Sequence, residues 1–304
     1  MLDCLLITDE KKNPGVTGAK NSYQSLNRSA MMIETLATVE SNQELAPGYR
    51  LLTLDFKQDV QVSPGQFAML KANASIEPLL RRALAVYSVE GPRRISFLYQ
   101  VLGRGTEALA QVEKEASVEA LLPLGNNWPV ESAANQRAIV VAGGIGSASV
   151  LMLCKELAAS SVDAQLFFGA ASKNAATGCG LEDLRALGLP LTLTTDDGSL
   201  GERGFVTVPL ERHLREGAGA GATIYACGPW VMMKRVAEIA AQFEVRCLVS
   251  LEAPMGCGFG VCVGCVVAIK TDGPLGYDSY KRVCTEGSIF PAETIRWEVN
   301  AMTH

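Results

Sequence analysis

The sequence predicts a multidomain chain of β and α/β architecture: a small β-barrel, a doubly wound α/β domain and a small cysteine-rich C-terminal domain. Three observations predict it. Between residues 33 and 131, short alternating apolar runs are separated by Pro-Gly at 47–48 and 64–65 and Gly-Pro at 91–92, a barrel-like rhythm. From about Gln136, apolar strands alternate with amphipathic helices, which argues for a parallel sheet covered on both faces. Near the C-terminus, Cys257-Gly-Phe-Gly-Val-Cys262-Val-Gly-Cys265 is followed, after eighteen more residues, by Cys284. The expected boundaries are a polar tail over 1–31, the β-barrel over 32–132, the α/β domain over 133–247 and the cysteine domain over 248–304.

Composition narrows the class. The 304 residues, 48% hydrophobic and 19% charged, suffice for two or three packed cores. A net charge of −5 and a pI near 5.3 leave no electrostatic footprint for nucleic acid or anionic lipid, so neither is an expected partner. The first residues lack a basic segment and a long apolar run, so a reducing, cytoplasmic location is expected despite nine cysteines. The longest apolar stretch, Ala138 to Cys154, is interrupted by Gly143, Gly144, Gly146 and serines and falls short of a membrane span. Residues 1–31, polar and containing Asn13-Pro14-Gly15, read as a mobile tail, or as a start assigned upstream of Met31 or Met32.

Within the barrel region, Tyr49–Phe56 and Arg94–Val101 read as strands and Thr106 to Glu113 as a helix. Gly103-Arg104-Gly105-Thr106 opens that helix, offering Arg104 and the Thr106 hydroxyl to phosphate oxygens; a capped helix start is the alternative. Arg81-Arg82 precedes the β-like Ala83-Leu84-Ala85-Val86-Tyr87 and places a guanidinium beside a flavin phosphate or ring, or else at a solvated edge.

The α/β region reads as strand Ala138–Ala142, helix Ala148–Ala159, strand Ala164–Phe168, helix Leu181–Leu187, strand Leu191–Thr194, strand Thr223–Ala226, helix Trp230–Phe243 and strand Val245–Leu251. Ala142-Gly143-Gly144-Ile145-Gly146 joins a strand to a helix, where a glycine turn lets a dinucleotide pyrophosphate approach helix N–H groups; an empty β–α turn is the alternative. Asp196 and Asp197 end a strand at the edge where such folds bind ligands, or form an ordinary Asp-Gly turn. Cys227-Gly228-Pro229 ends another strand, with Cys227 against a nicotinamide or simply a buried thiol. His213 and His304 are the only histidines, and no nucleophile–base or metal-hydrolase motif occurs. Hydride transfer between cofactors needs no protein acid or base, so no catalytic side chain is expected.

The C-x4-C-x2-C…C spacing is that of a plant-type [2Fe–2S] site, with Cys257, Cys262, Cys265 and Cys284 as ligands. Gly256, Gly258, Gly260 and Gly264 allow a tight turn and leave N–H groups free to bond sulfur. Zinc usually takes two C-x2-C pairs and only one is present; buried cysteines show no fixed spacing. The rival from another class is a zinc-binding interaction module joined to a nucleotide-sensing domain.

In their order these motifs resemble the ferredoxin–NAD(P)+ reductase superfamily and, within it, the electron-transfer subunits of NAD-dependent dihydroorotate dehydrogenase B. The resemblance covers about residues 32–295. Leu80-Arg81-Arg82-Ala83-Leu84-Ala85-Val86 resembles the family's Arg-Pro-x-Ser flavin motif, and Tyr99-Gln100-Val101-Leu102-Gly103-Arg104-Gly105-Thr106 its pyrophosphate turn. Thr195 to Gly201, Cys227-Gly228-Pro229 with Met232-Met233, and Leu251 to Cys265 closed by Val283-Cys284-Thr285-Glu286-Gly287-Ser288-Ile289-Phe290 also match. Ala83 and Ala85 stand where the family has Pro and Ser, and Ala142 and Ser149 where it has Gly and Pro.

The resemblance implies FAD, NAD and one [2Fe–2S] cluster, and an FMN-containing catalytic partner in a heterotetramer of two of each subunit. It implies FAD contacts at Arg82, Ala83, Leu84, Ala85, Leu98, Tyr99, Gln100, Gly105 and Thr106, and NAD contacts at Gly143, Gly144, Gly146, Asp196, Asp197, Cys227, Gly228 and Pro229. The implied function is electron transport in pyrimidine biosynthesis, from the partner's FMN through the cluster and FAD to NAD+. The alternative within the same build is a flavin and iron–sulfur subunit of another NAD(P)H oxidoreductase, of the ferredoxin-dependent transhydrogenase, sulfide dehydrogenase or oxygenase-reductase kind. Ser172 and Lys173, after the strand Gln165–Phe168, leave NADP open as the nucleotide.

Overall fold

The computed structural model describes residues 31–72, 77–130, 137–160 and 162–299. All but Met31 of the expected tail, and the expected boundary between 132 and 133, lie outside the described residues. The first domain contains β1 (Ile33–Ala46), β2 (Tyr49–Phe56), β3 (Phe67–Ala72), β4 (Arg82–Ala85), β5 (Ser88–Glu90), β6 (Arg94–Gln100), helix α1 (Arg104–Ala110) and β7 (Ser117–Leu124). Its strands form an antiparallel sheet in the order β4-β3-β7-β1-β2-β6-β5.

The two edges of that sheet, β4 and β5, are separated only by Val86 and Tyr87. Val86 N–H bonds the Gln66 carbonyl at 3.0 Å and Tyr87 N–H bonds the Ser96 carbonyl at 2.9 Å, so one bent stretch of chain joins both edges and curls the sheet into a barrel. Alternation sorts the side chains. Ala68, Leu70, Ala120 and Leu122 point into the barrel with Leu52, Leu54 and Phe97, whereas Phe67, Met69, Leu121 and Leu124 point outward into a second core.

The second domain holds β8 (Arg137–Gly143), α2 (Ser147–Ala159), β9 (Asp163–Ala170), α3 (Lys173–Gly178), α4 (Leu181–Ala186), β10 (Leu191–Thr195), β11 (Glu202–Arg203), α5 (Thr207–His213), β12 (Ala222–Cys227), α6 (Trp230–Gln242) and β13 (Arg246–Ser250). The third adds β14 (Val266–Ala268), β15 (Tyr280–Arg282), α7 (Val283–Glu286) and β16 (Ile289–Pro291). The second sheet runs β11-β10-β9-β8-β12-β13-β16, parallel except for the β13–β16 pair. Its order reverses at β8, flanked by β9 and β12, and that reversal opens a crevice at the strands' C-terminal ends.

The C-terminal domain is fastened to both others. β16 pairs with β13, so the boundary expected after residue 247 falls inside a strand, Arg246–Ser250. Cys265, Val267, Val283, Cys284, Phe290 and Trp297 share one core with Met69 and Leu124 of the barrel and with Val249 and Met233 of the α/β domain. Among the described residues, no helix is long and apolar enough to cross a membrane.

Candidate functional site

The four cysteines of the C-terminal loop approach one another two and two. Cys262 N–H lies 3.5 Å from the Cys257 sulfur, and Cys284 N–H lies 3.4 Å from the Cys265 sulfur. β14 and β15 create the second pair: Val266 faces Arg282 across this hairpin and Val283 N–H bonds the Cys265 carbonyl at 2.9 Å, which brings the next residue, Cys284, against Cys265. Glycine lets the loop close. Gly258 has φ +82°, and a Cβ there would stand 2.5 Å from Met69 Cγ, so the loop lies directly on the outer face of the barrel.

The Cys257 thiol differs from the thiols buried elsewhere in the described residues. Burial pushes Cys154 and Cys179 up to about 12, as inert packed thiols. At Cys257 burial also raises the value, but backbone N–H groups of Cys262, Phe259 and Val261 outweigh it and bring the thiol down to about 6. Cys284 is pushed up to about 12, first by burial and then by the neighbouring Cys265 and Cys257, although the Gly260 N–H donates to it. Ionisation of Cys284 beside Cys265 and Cys257 is therefore disfavoured unless a cation lies between them. Paired thiols, N–H donors aimed at sulfur and mutual repulsion without a cation fit a [2Fe–2S] cluster, which takes two thiolates on each iron.

At the barrel edge, Arg82 and Gly105 are brought together. A Cβ at Gly105 would stand 1.9 Å from Arg82 Nε, so the guanidinium lies flat against the first turn of α1. Arg82 Nη1 also donates to the Leu80 carbonyl at 2.8 Å. Its neighbour Arg81 is engaged elsewhere, in ion pairs with Glu34 and, at 3.3 Å, Glu119. The Thr106 hydroxyl is not free for a phosphate: it accepts the N–H groups of Leu102 and Gly103 at 2.9 and 3.2 Å and closes the turn as a helix cap. Arg104 pairs with Glu77 at 3.5 Å in open solvent. What the turn offers an anion is the Arg82 charge and backbone N–H groups.

Ala83, Leu84 and Ala85 pair with Met69, Ala68 and Phe67 of β3. On β6, Leu98 faces the α/β domain, whereas the Tyr99 ring points into the barrel and its hydroxyl donates to Asn42 at 3.2 Å. Gln100 is half-buried. Tyr87, which the sequence reading left without a role, lies between the domains: its hydroxyl donates to Asp183 at 2.5 Å and abuts Gly180. Its place beside the flavin-like motif was the available signal.

In the crevice, the nucleotide-turn residues do meet. A Cβ at Gly146 would stand 2.4 Å from the Cys227 carbonyl oxygen, and one at Gly228 would stand 2.9 Å from Gly143 Cα. A Cβ at Gly143 would stand 2.4 Å from Met232 Sδ and 2.9 Å from Pro229 Cδ. Gly144 has φ +51° and open space above it. Cys227 is buried, and burial, followed by the charge of Glu252, pushes its thiol up to about 12 against opposing bonds from Ser149 and Ser250. Ser149, which stands where the resembled family has proline, donates to Ser250 at 3.1 Å beneath that thiol.

Asp196 and Asp197 follow β10, two strands from β8 and so about 10 Å away along the same sheet edge. Asp197 accepts the Ser199 hydroxyl at 2.6 Å and its N–H at 2.9 Å, an Asp-Gly turn whose bonds hold the carboxyl below the usual range. Ser172 caps α3 by accepting the Ala175 N–H at 3.3 Å, and Lys173 beside it is exposed.

A barrel with an arginine-lined edge, a doubly wound sheet and a four-cysteine loop define an oxidoreductase of the ferredoxin-reductase build. A solved NADH-dependent reduced ferredoxin–NADP oxidoreductase superposes with a TM-score of 0.74 at 24% identity, covering 87% of this chain and 91% of that one. A ferredoxin NADP+ reductase from Neisseria gonorrhoeae with bound FAD and NADP gives 0.58 at 13% identity, over 69% of this chain and 91% of that one. Residues 252–296 match the iron–sulfur cluster binding domain of dihydroorotate dehydrogenase B. The electron transfer subunit of dihydroorotate dehydrogenase B (NAD(+)) from Desulforamulus reducens is 36% identical, over 77% of this chain and 87% of that protein. The subunit from Geobacillus kaustophilus is 36% identical over 84% and 95%. The chain belongs to this family of electron transfer subunits of NAD-dependent dihydroorotate dehydrogenase B.

Proposed function

We infer that this chain is the electron-transfer subunit of an NAD-dependent dihydroorotate dehydrogenase, serving pyrimidine biosynthesis in the cytoplasm beside an FMN-containing catalytic subunit, two of each to the assembly. One observation carries the reading: four cysteines, two of them with N–H donors to sulfur, belong to a segment whose loop at Gly258 rests directly on a barrel whose edge carries Arg82 and Gly105. Bound together, a [2Fe–2S] cluster supplies one-electron steps and FAD the conversion to hydride transfer onto NAD+.

The chain's own part is position and potential. Cys257, Cys262, Cys265 and Cys284 would hold the iron; Arg82 and the N–H groups at Gly105 and Thr106 would hold a flavin pyrophosphate, and Ala83 to Ala85 with the backbone of Leu98 to Gln100 would border its ring. Gly143, Gly144, Gly146, Cys227, Gly228 and Pro229 form the nicotinamide crevice, with Asp196 and Asp197 farther along it. Without a side-chain hydroxyl at Ala85, contacts to the ring from this strand are made by backbone and methyl groups. Cys227 stays a neutral thiol near pH 7, a hydrogen-bond donor rather than a nucleophile.

The purified chain should be red-brown, contain iron, sulfide and FAD, and reduce dyes with NADH. Dihydroorotate oxidation should require added catalytic subunit. A colourless protein holding zinc, or dihydroorotate oxidation by the chain alone, would refute the reading.

A further inference from the structure

The segment bearing Cys284 reaches the loop bearing the other three cysteines through Arg282. Its Nη1 donates to the Gly260 carbonyl at 3.3 Å. That carbonyl lies in the turn between Cys257 and Cys262, and the Cys262 N–H at the end of this turn lies 3.5 Å from the Cys257 sulfur. The guanidinium therefore bonds the same turn that supplies an N–H donor to the Cys257 sulfur, and it sets a positive charge against that turn.

Arg282 is held in place for this. Glu286 accepts its backbone N–H at 2.9 Å and its Nε at 3.4 Å, and Lys281 pairs with the same carboxylate at 2.9 Å. Gly260, at φ +91°, has no room for a side chain: a Cβ there would stand 2.8 Å from Thr285 Cγ2 and 3.4 Å from Arg282 Nη1. Two cations and one carboxylate leave a net positive charge beside the cysteines.

The geometry points to Arg282 as a positioning residue that raises the reduction potential of the iron–sulfur site by setting a positive charge against the Cys257–Cys262 turn. It rests on the iron–sulfur reading above. Reduction adds one electron, from NADH through the flavin or from dithionite in a titration, and no bond forms or breaks. The added negative charge spreads onto the sulfurs, where N–H donors and a nearby cation stabilise it. If Arg282 only pinned two chain segments together, its loss would alter cluster retention and not the potential.

The test compares the holoprotein with Arg282→Gln and Arg282→Lys, measuring iron and sulfide content, the visible spectrum and the midpoint potential by a mediated titration followed by electron paramagnetic resonance. Expected is a parent-like iron and sulfide content with a more negative potential in Arg282→Gln, and a smaller shift in Arg282→Lys, which keeps the charge without the fork. A parent-like potential in Arg282→Gln overturns the proposal. Should Arg282→Gln lose its iron, Arg282→Lys decides: a negative shift there supports the proposal, and a parent-like potential overturns it. A parent protein without iron and sulfide would instead sink the reading of the site itself.

Discussion

At Gly105 and Gly146 the same added methyl group would meet different obstacles, a flexible side chain in one case and backbone in the other. Beside Gly105 the obstacle is the Arg82 guanidinium, which can swing away into solvent. Gly105→Ala is therefore expected to change stability by less than about 1 kcal/mol while displacing the charge that meets a flavin pyrophosphate. Flavin content of the purified protein should drop, with thermal unfolding of the flavin-free form unchanged; retained flavin would count against the Arg82 assignment. Beside Gly146 the obstacle is the Cys227 carbonyl, fixed in β12. Gly146→Ala should cost about 1–3 kcal/mol through the forced shift and raise KM for NADH, measured by dye reduction. The glycines were legible in the sequence, and so were all four cysteines, because spacing is a property of the chain. Which glycine faces a side chain and which faces backbone was not, since it depends on residues 23 and 81 positions away.

Among the elements, long periodic segments such as α2 and α6 were placed within a residue or two by their own pattern. Short ones were not: α3, α5, β11 and the β14–β15 hairpin owe their form to what covers them. Thr106 shows the same limit, because its hydroxyl could cap a helix or meet a phosphate and only the turn's geometry selected the cap. α7, a single turn, depends on Glu286. Burial raises that carboxyl, but the Arg282 N–H and the Lys281 ammonium outweigh it and hold it below the usual range. A carboxyl lowered in the folded state stabilises fully above its unfolded value, about 4.3, and loses that contribution as pH falls through the folded one. Melting temperature should thus fall with acidification below about pH 4.3 in the parent, and less steeply in Glu286→Gln. The corner between β4 and β5 makes a second test, since Tyr87 ties it to Asp183 of α4. Tyr87→Phe should cost about 1.5 kcal/mol, the low end for a bond to a charged group because Asp183 is exposed. An unchanged urea midpoint would show that the bond contributes nothing.

For the whole molecule, the three expected domains do not correspond to three independent cores. Outward-facing residues of β3 and β7 (Phe67, Met69, Leu121 and Leu124) are buried only because the cysteine domain and the α/β domain close over them. β16 covers the edge of β13, and Asn126, between barrel and sheet, accepts the Ile289 N–H at 2.9 Å and donates to the Ile289 carbonyl at 2.9 Å. Cutting the chain after Ser250 would uncover an apolar barrel face and an unpaired strand edge together, and both favour association with other chains. The truncated chain should aggregate, or bind a hydrophobic dye and unfold below the full-length protein, although its sequence retains every proposed flavin and nicotinamide residue. A truncated chain that melts in one transition at the full-length temperature, with flavin bound, would show the domains to be independent. The shared core has a functional reason as well: the loop at Gly258 meets Met69, whose strand partner is Ala83 of the flavin motif, so the packing that stabilises the fold also fixes the separation between the cysteines and the barrel edge.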